Sequence, residues 1–220
     1  MSNTSFKDAK REQNSILAPL ERRALAGLAR RMPARVNSDH LSLLGLVAML
    51  LAGVFYAVSG RNPHLLHAVN ACIVLNWFGD SLDGTLARHR NRLRPRYGFY
   101  VDHIIDTFGT TALIFGLALS GYMTWFVAAG ALVVFLMLAI NSYLAAFSLR
   151  VFKISQGIFG PTEIRLFLII GNLALLNNAY TKMFGHKFLL FDVAGVISIV
   201  VMSAILIFSS IKNTYALYQL

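Results

Sequence analysis

The chain has 220 residues, 56% hydrophobic and 14% charged, with a formal net charge of +10 and a mean hydropathy of +0.60. This balance excludes one or two ordinary soluble domains and points to an integral membrane protein. The single cysteine, Cys72, excludes an intramolecular disulfide and reads as a small buried apolar residue.

Residues 1–13 read as a polar, mobile tail. The first 15 residues have no apolar segment of the kind a cleaved signal peptide needs, so the first span is expected to act as the targeting signal. From Ser15 to Met32, SILAPLERRALAGLARRM places Ile16, Leu17, Leu20, Ala24, Leu28 and Met32 at near-helical spacing, with Arg22, Arg23, Arg30 and Arg31 elsewhere. That is the pattern of an amphipathic helix lying in a membrane interface, with a solvated charged helix as the alternative. Pro33 ends it, and NSDHLS supplies cap-like residues before the next element.

Crossing about 30 Å of hydrocarbon takes roughly 20 apolar residues. Six such runs follow: Leu41–Ser59, Leu65–Ala87, Tyr97–Leu119, Tyr122–Leu149, Thr162–Tyr180 and Leu189–Ile211. The predicted fold is therefore all-α, six transmembrane helices preceded by an interfacial helix. Residues 1–39 form the tail and interfacial helix, and 40–220 one transmembrane domain. Eight Lys and Arg precede the first span, five lie in Arg88–Arg96, and Arg150, Lys153, Arg165 and Lys212 fall on the same side. Only Arg61, Lys182 and Lys187 oppose them. Since positive residues gather on the cytoplasmic side, both termini are predicted to be cytoplasmic. The charges flank spans rather than forming a soluble basic domain, so anionic lipid headgroups are the expected partner and nucleic acid is not.

Acids inside membrane spans are functional candidates because an unpaired one is costly. Asp80 and Asp83 share a face of the second span with Gly84, Ala87 and Arg88, and Gly98, Asp102 and Asp106 share a face of the third. Counted from the helix ends near Arg88 and Tyr97, Asp83 and Asp102 lie roughly 7 Å deep, and Asp80 and Asp106 roughly 12 to 14 Å. An antiparallel pair would thus present four carboxylates at matching depth. Such carboxylates repel one another and need compensating charge. Two divalent cations balance four negative charges, and an all-carboxylate donor set favours hard ions such as Mg²⁺, Mn²⁺ or Ca²⁺ over zinc. His103 points about 100° away from Asp102 and is not expected to be a ligand.

Gly84 and Gly98 leave room for a ligand or for close helix packing. Arg88 can grip phosphate oxygens in a forked geometry, whereas Arg90, Arg92, Arg94 and Arg96 read as solvated charges facing headgroups. Asn76 and Trp77 read as helix-packing residues. Lys153 and Arg150 suit either an acceptor phosphate or positive-inside anchoring. Glu163 and Arg165 suit either an acceptor or headgroup contact or a snorkelling salt pair. The loop Lys153–Pro161, KISQGIFGP, either frames the site or is an ordinary turn.

The pattern Asp80-x2-Asp83-Gly84-x2-Ala87-Arg88-x9-Gly98-x3-Asp102-x3-Asp106 resembles the signature of the CDP-alcohol phosphotransferases, with all eight fixed positions present. The resemblance implies transfer of a substituted phosphate from a CDP-linked donor to an alcohol, with release of CMP, at a cytoplasm-facing site in phospholipid synthesis. It further implies that Asp80, Asp83, Asp102 and Asp106 hold two divalent cations, Mg²⁺ or Mn²⁺, and that Asp106 is the general base. Asp83, Gly84, Ala87, Arg88 and Gly98 would line the CDP site, and the protein would be a homodimer. For a bacterial protein the inner membrane would be its location.

The start of the first span departs from that family's common Pro-Asn-x-Leu-Thr element, reading Ser38-Asp39-His40-Leu41-Ser42. The later Gly160-Pro161-Thr162-Glu163 and the pair Asp102-His103 are similar to the branch that moves phosphocholine or phosphoethanolamine onto diacylglycerol. The compact layout instead favours CDP-diacylglycerol as donor. A cation or proton transporter is the reading from another class, since acid clusters also mark ion paths.

Overall fold

The computed structural model describes residues 10–12, 17–149, 151–153, 160–183 and 185–219, and leaves the side chains of 10–12 and 151–153 aside. In chain order the elements are β1 (Lys10–Glu12), α1 (Ala18–Arg31), α2 (Ser38–Ser59), α3 (Leu65–His89), α4 (Pro95–Leu119), α5 (Trp125–Ser148), β2 (Val151–Lys153), α6 (Pro161–Asn177), β3 (Tyr180–Met183), β4 (His186–Leu189) and α7 (Leu190–Tyr218).

Every expected span is a helix, and the shifts at the ends have local causes. Gly121, at φ +80°, adopts a backbone that glycine tolerates, so the turn after α4 holds Tyr122 outside α5. Antiparallel pairing of Tyr180 with Leu189 through Met183 with His186 takes Tyr180 out of the fifth span. At the other end of that pairing, α7 runs on past Ile211 to Tyr218. Asn37 caps α2, its N–H donating to His40 Nδ1 at 3.3 Å, as its polar run predicts.

The fold is helical as expected, with two short strand pairs beside the helices, β3–β4 and a parallel β1–β2 pair in which Lys10, Arg11 and Glu12 sit opposite Val151, Phe152 and Lys153. Part of the tail expected to be mobile is therefore paired backbone. The remainder of that tail, Arg150 and residues 154–159 of the KISQGIFGP loop lie outside the described residues.

Among the described residues three helices, α2, α5 and α7, are long and apolar enough to cross a membrane by length and composition. Helices α3 and α4, at 25 residues each, reach about 37 Å but carry the acidic residues. Large apolar side chains face outward along α5 and α7, among them Phe126, Val133, Phe147, Val200 and Phe208. A surface of that kind suits lipid rather than water.

Helix α2 is the centre of the packing, with α3 and α4 against it and barely touching each other. Glycines allow these approaches. A methyl at Gly79 of α3 would lie 2.5 Å from the Leu41 carbonyl of α2, and one at Gly116 of α4 would strike the Gly53 backbone, the close backbone contact that small residues permit between membrane helices. Deeper in the bundle Tyr56 donates to Asn172 Oδ1 at 2.6 Å and Asn172 Nδ2 to Asn70 Oδ1 at 2.7 Å, tying α2, α6 and α3. Cys72 is buried and free.

Helix α1 is amphipathic, but its buried face is Ala18, Glu21, Leu25 and Ala29, not the Leu20 and Ala24 stripe. Leu20 is 68% exposed. Leu25 and Ala29 pack with Leu41, Leu82 and Leu86, while Leu28 and Met32 lie at the edge of that cluster. Apolar residues on both sides explain the mistaken face: one side meets α3, the other is left outward.

Candidate active site

Helix α3 carries Asp80 and Asp83, and α4 carries Asp102 and Asp106. Because both helices stand on α2 and not on each other, the acids border a gap between them instead of a tight helix pair. Asp106 is exposed, whereas Asp80, Asp83 and Asp102 are half-buried. Across the gap the Asp106 carboxyl lies within electrostatic reach of Asp80, Arg165 and Asp83.

Each acid on α3 has a protein partner. Arg165 of α6 donates from Nη2 to Asp80 Oδ2 at 2.5 Å and from Nε to Asn76 Oδ1 at 2.9 Å. Asn76 Nδ2 in turn donates to the Gly45 carbonyl of α2 at 3.1 Å, so Asn76 does pack helices and also orients the arginine. Arg165 Nη1 is buried and has no hydrogen-bond partner among the described residues. Asp83 accepts from Ser42 Oγ at 2.5 Å and from the Gly84 N–H.

On α4 the ring of His103 stacks on Phe99 with centroids 4.1 Å apart, and Tyr143 of α5 meets His103 edge-on at 4.7 Å. His103 Nδ1 lies 2.6 Å from the Phe99 carbonyl. The Tyr143 hydroxyl lies close to Thr107 and within the field of Asp106 and Asp102.

The glycines of the pattern are not packing glycines. A methyl at Gly98 would meet nothing within 4 Å, and one at Gly84 only the Arg88 guanidinium, at 3.8 Å. Arg88 is exposed and donates to Thr85 Oγ1 at 3.1 Å. Ala87 borders a cavity shared with Asn37, Ser38, Asp39 and Arg92. The start of α2, which departs from the family pattern, thus lies beside the α3 residues. Ser42 is the clearest residue missed from sequence, and its place just after the divergent element was the available signal.

Arg90 is corrected from a solvated charge. It donates to the carbonyls of Val36, Met32 (3.1 Å) and Pro33 (2.7 Å) and pins the α1–α2 connection. Arg94 pairs with Asp39 and lies 4.2 Å over the Tyr97 ring; Arg92 and Arg96 are exposed.

Glu163, considered above for an acceptor contact, is 6% exposed. Its Oε2 accepts from the Gly160 N–H and its Oε1 from the Leu17 N–H, both at 2.9 Å. Its carboxylate closes a helix corner. The Lys153 backbone lies in β2, and its side chain falls outside the described residues.

The donor chemistry of Asp80, Asp83, Asp102 and Asp106, all carboxylates, suits hard divalent cations. Among the described residues no three His, Cys, Asp or Glu side chains converge closely enough to share an ion, with Asp80 turned to Arg165 and Asp83 to Ser42.

Residues 37–211 match a family described as CDP-alcohol phosphatidyltransferase. The archaetidylinositol phosphate synthase of Pyrococcus horikoshii is 32% identical over 133 residues, covering 59% of this chain and 60% of that protein. The similarity therefore spans less than two thirds of the relative's length.

Proposed function

This chain belongs to the CDP-alcohol phosphatidyltransferase family, and from that membership we propose that it transfers a substituted phosphate from a CDP-linked lipid, such as CDP-diacylglycerol, to an alcohol, releasing CMP in phospholipid synthesis. The observation that supports this reading is that Asp106 of α4 lies within electrostatic reach of Asp80 and Asp83 of α3, beside open space at Gly84 and Gly98.

In the proposed reaction the acceptor hydroxyl oxygen attacks the donor's β-phosphorus. The bond from that phosphorus to the bridging oxygen breaks, and CMP leaves with that oxygen. The exposed Asp106 takes the hydroxyl proton, as a positioned carboxylate can. Arg88 binds phosphate oxygens, while Gly84, Ala87 and Gly98 let the nucleotide approach the backbone. Asp80, Asp83, Asp102 and Asp106 would hold two divalent cations, Mg²⁺ or Mn²⁺, which neutralise the pyrophosphate when bound. Helices α2 to α7 span the membrane with the acids and both termini on the cytoplasmic side, and the protein is a homodimer.

The relative's name supports a lipid-linked donor. The element similar to the phosphocholine branch does not weigh against it, because here Thr162 donates to Glu21 and Glu163 accepts from Leu17. For the transporter reading, polar groups beyond the acids would have to form a path. Instead Tyr56 and Asn172 are fully buried and bonded to each other.

The test is incubation of purified protein with CDP-diacylglycerol or CDP-choline, each against separate acceptors including inositol phosphate, diacylglycerol and glycerol phosphate, followed by mass identification of the lipid. A phosphatidyl product from CDP-diacylglycerol is expected. A product formed only from CDP-choline would replace the donor assignment, and ion flux in liposomes without any CMP release would replace the activity.

A further inference from the structure

Glu21 lies in the first turn of α1 and is 9% exposed. Its Oε1 accepts three hydrogen bonds, from Trp77 Nε1 at 2.8 Å, Ser81 Oγ at 3.0 Å and Thr162 Oγ1 at 2.7 Å. The first two donors belong to α3 and the third to α6. A carboxylate is buried at low cost only when it is bonded in this way, so Glu21 is not one of the solvated charges of an amphipathic helix.

A second glutamate returns the contact. Glu163, in the first turn of α6, accepts from the Leu17 N–H that leads into α1. Helices α1 and α6 therefore each lend a buried first-turn glutamate to the other, and α3 is bonded to the same carboxylate.

The places of the donors matter for the acids. Ser81 stands next to Asp80 in α3, and Thr162 stands three residues before Arg165 in α6. Arg165 is the side chain that reaches back to Asp80 and Asn76. Helix α6 packs mainly on α3 and only lightly on α7; Asn172 holds its deeper half to Tyr56 and Asn70, and Thr162 and Glu163 hold its first turn to α1.

We propose that Glu21 is a positioning residue: through Ser81, Trp77 and Thr162 it fixes α6 against α3 and so holds Arg165 on Asp80. On this reading α1 is a clamp on the active-site helices as well as an interfacial helix. The effect on turnover rests on the proposed function, whereas the effect on Arg165 does not.

The experiment is phenylglyoxal modification of the full chain in nanodiscs, with the rate at Arg165 read by peptide mass and the exposed Arg61 as internal reference. Wild-type Arg165 is expected to be protected. Glu21→Leu is expected to raise its rate several-fold, and Glu21→Gln, which keeps an acceptor oxygen, to stay near wild type. In parallel, kcat for CMP release should fall by about tenfold in Glu21→Leu, within the range that misplaced active-site groups cost, and recover in Glu21→Gln.

Should Glu21→Leu fail to fold, Thr162→Val removes one donor at nearly constant shape and carries the same expectation in smaller measure. A folded Glu21→Leu or Thr162→Val protein whose Arg165 is as protected as in wild type overturns the proposal, as does equal deprotection in the Gln and Leu variants. The Arg165 readout needs no turnover, so a wild-type protein that releases no CMP speaks against the functional reading alone.

Discussion

Arg165 and Asp80 are joined at 2.5 Å across the α3–α6 interface, with side chains only 14% and 23% exposed. Among the described residues, one buried nitrogen of Arg165 has no hydrogen-bond partner. Breaking a buried pair from one side strands the other charge, at about 3–5 kcal/mol when burial is complete. With this residual exposure Arg165→Gln should cost about 2–3 kcal/mol, seen as a lowered thermal midpoint in detergent. Adding Asp80→Asn should cost less in that background than alone. Purely additive losses would show that the two side chains do not depend on each other.

Gly84 and Gly98 can be separated experimentally from the packing glycines. Alanine in a helix is favoured over glycine by about 0.5–1 kcal/mol, and a methyl at either position meets no protein atom closer than 3.8 Å. Gly84→Ala and Gly98→Ala should therefore keep or raise the thermal midpoint while raising KM for the CDP-linked donor. Gly116→Ala should instead lower the midpoint by the equivalent of about 1–3 kcal/mol, the usual cost of overpacking. Loss of stability in the first two variants would make them packing glycines after all.

Ser42 is expected to hold Asp83 in place rather than to react. Ser42→Ala removes a 2.5 Å donor to that carboxylate, and a hydrogen bond to a charged group contributes about 1.5–3 kcal/mol. Half-buried groups recover part of this from solvent, so a small drop in midpoint is expected, with a clear rise in the divalent cation concentration needed for half-maximal activity. An unchanged cation requirement would remove Ser42 from the account.

Divalent cations should stabilise the protein without substrate. A ligand at 100 times its Kd adds about 2.7 kcal/mol to the folded state, so Mg²⁺ or Mn²⁺ should raise the thermal midpoint and EDTA reverse it. Asp83→Asn and Asp102→Asn should each abolish the shift. A shift that survives both variants would place the ions elsewhere.

Much of this was legible beforehand, because apolar runs and acid spacing are local properties of the chain. The six helices and the shared faces of Asp80 with Asp83 and of Asp102 with Asp106 followed from length and helical period. The partners did not, since Ser42 meets Asp83, and Arg165 meets Asp80, only through the packing of α2 and α6 on α3. Glu21 was hidden for another reason. A polar residue on a helix reads as outward, and only its three donors from two other helices make it an inward one. The gap between α3 and α4 was also illegible, because it depends on the glycine contacts that bring both helices onto α2.

The central claim is that carboxylates across the α3–α4 gap catalyse transfer from a CDP-linked donor, and its most direct measurement is CMP release by wild type and Asp106→Asn. Asp106 is exposed, so the variant should fold with an unchanged thermal midpoint. Wild type should release CMP from CDP-diacylglycerol only with Mg²⁺ or Mn²⁺ and an acceptor alcohol, and the variant should be slower by about 10²–10⁴-fold, the usual range for loss of a general base. A folded Asp106→Asn protein that releases CMP at the wild-type rate would contradict the account.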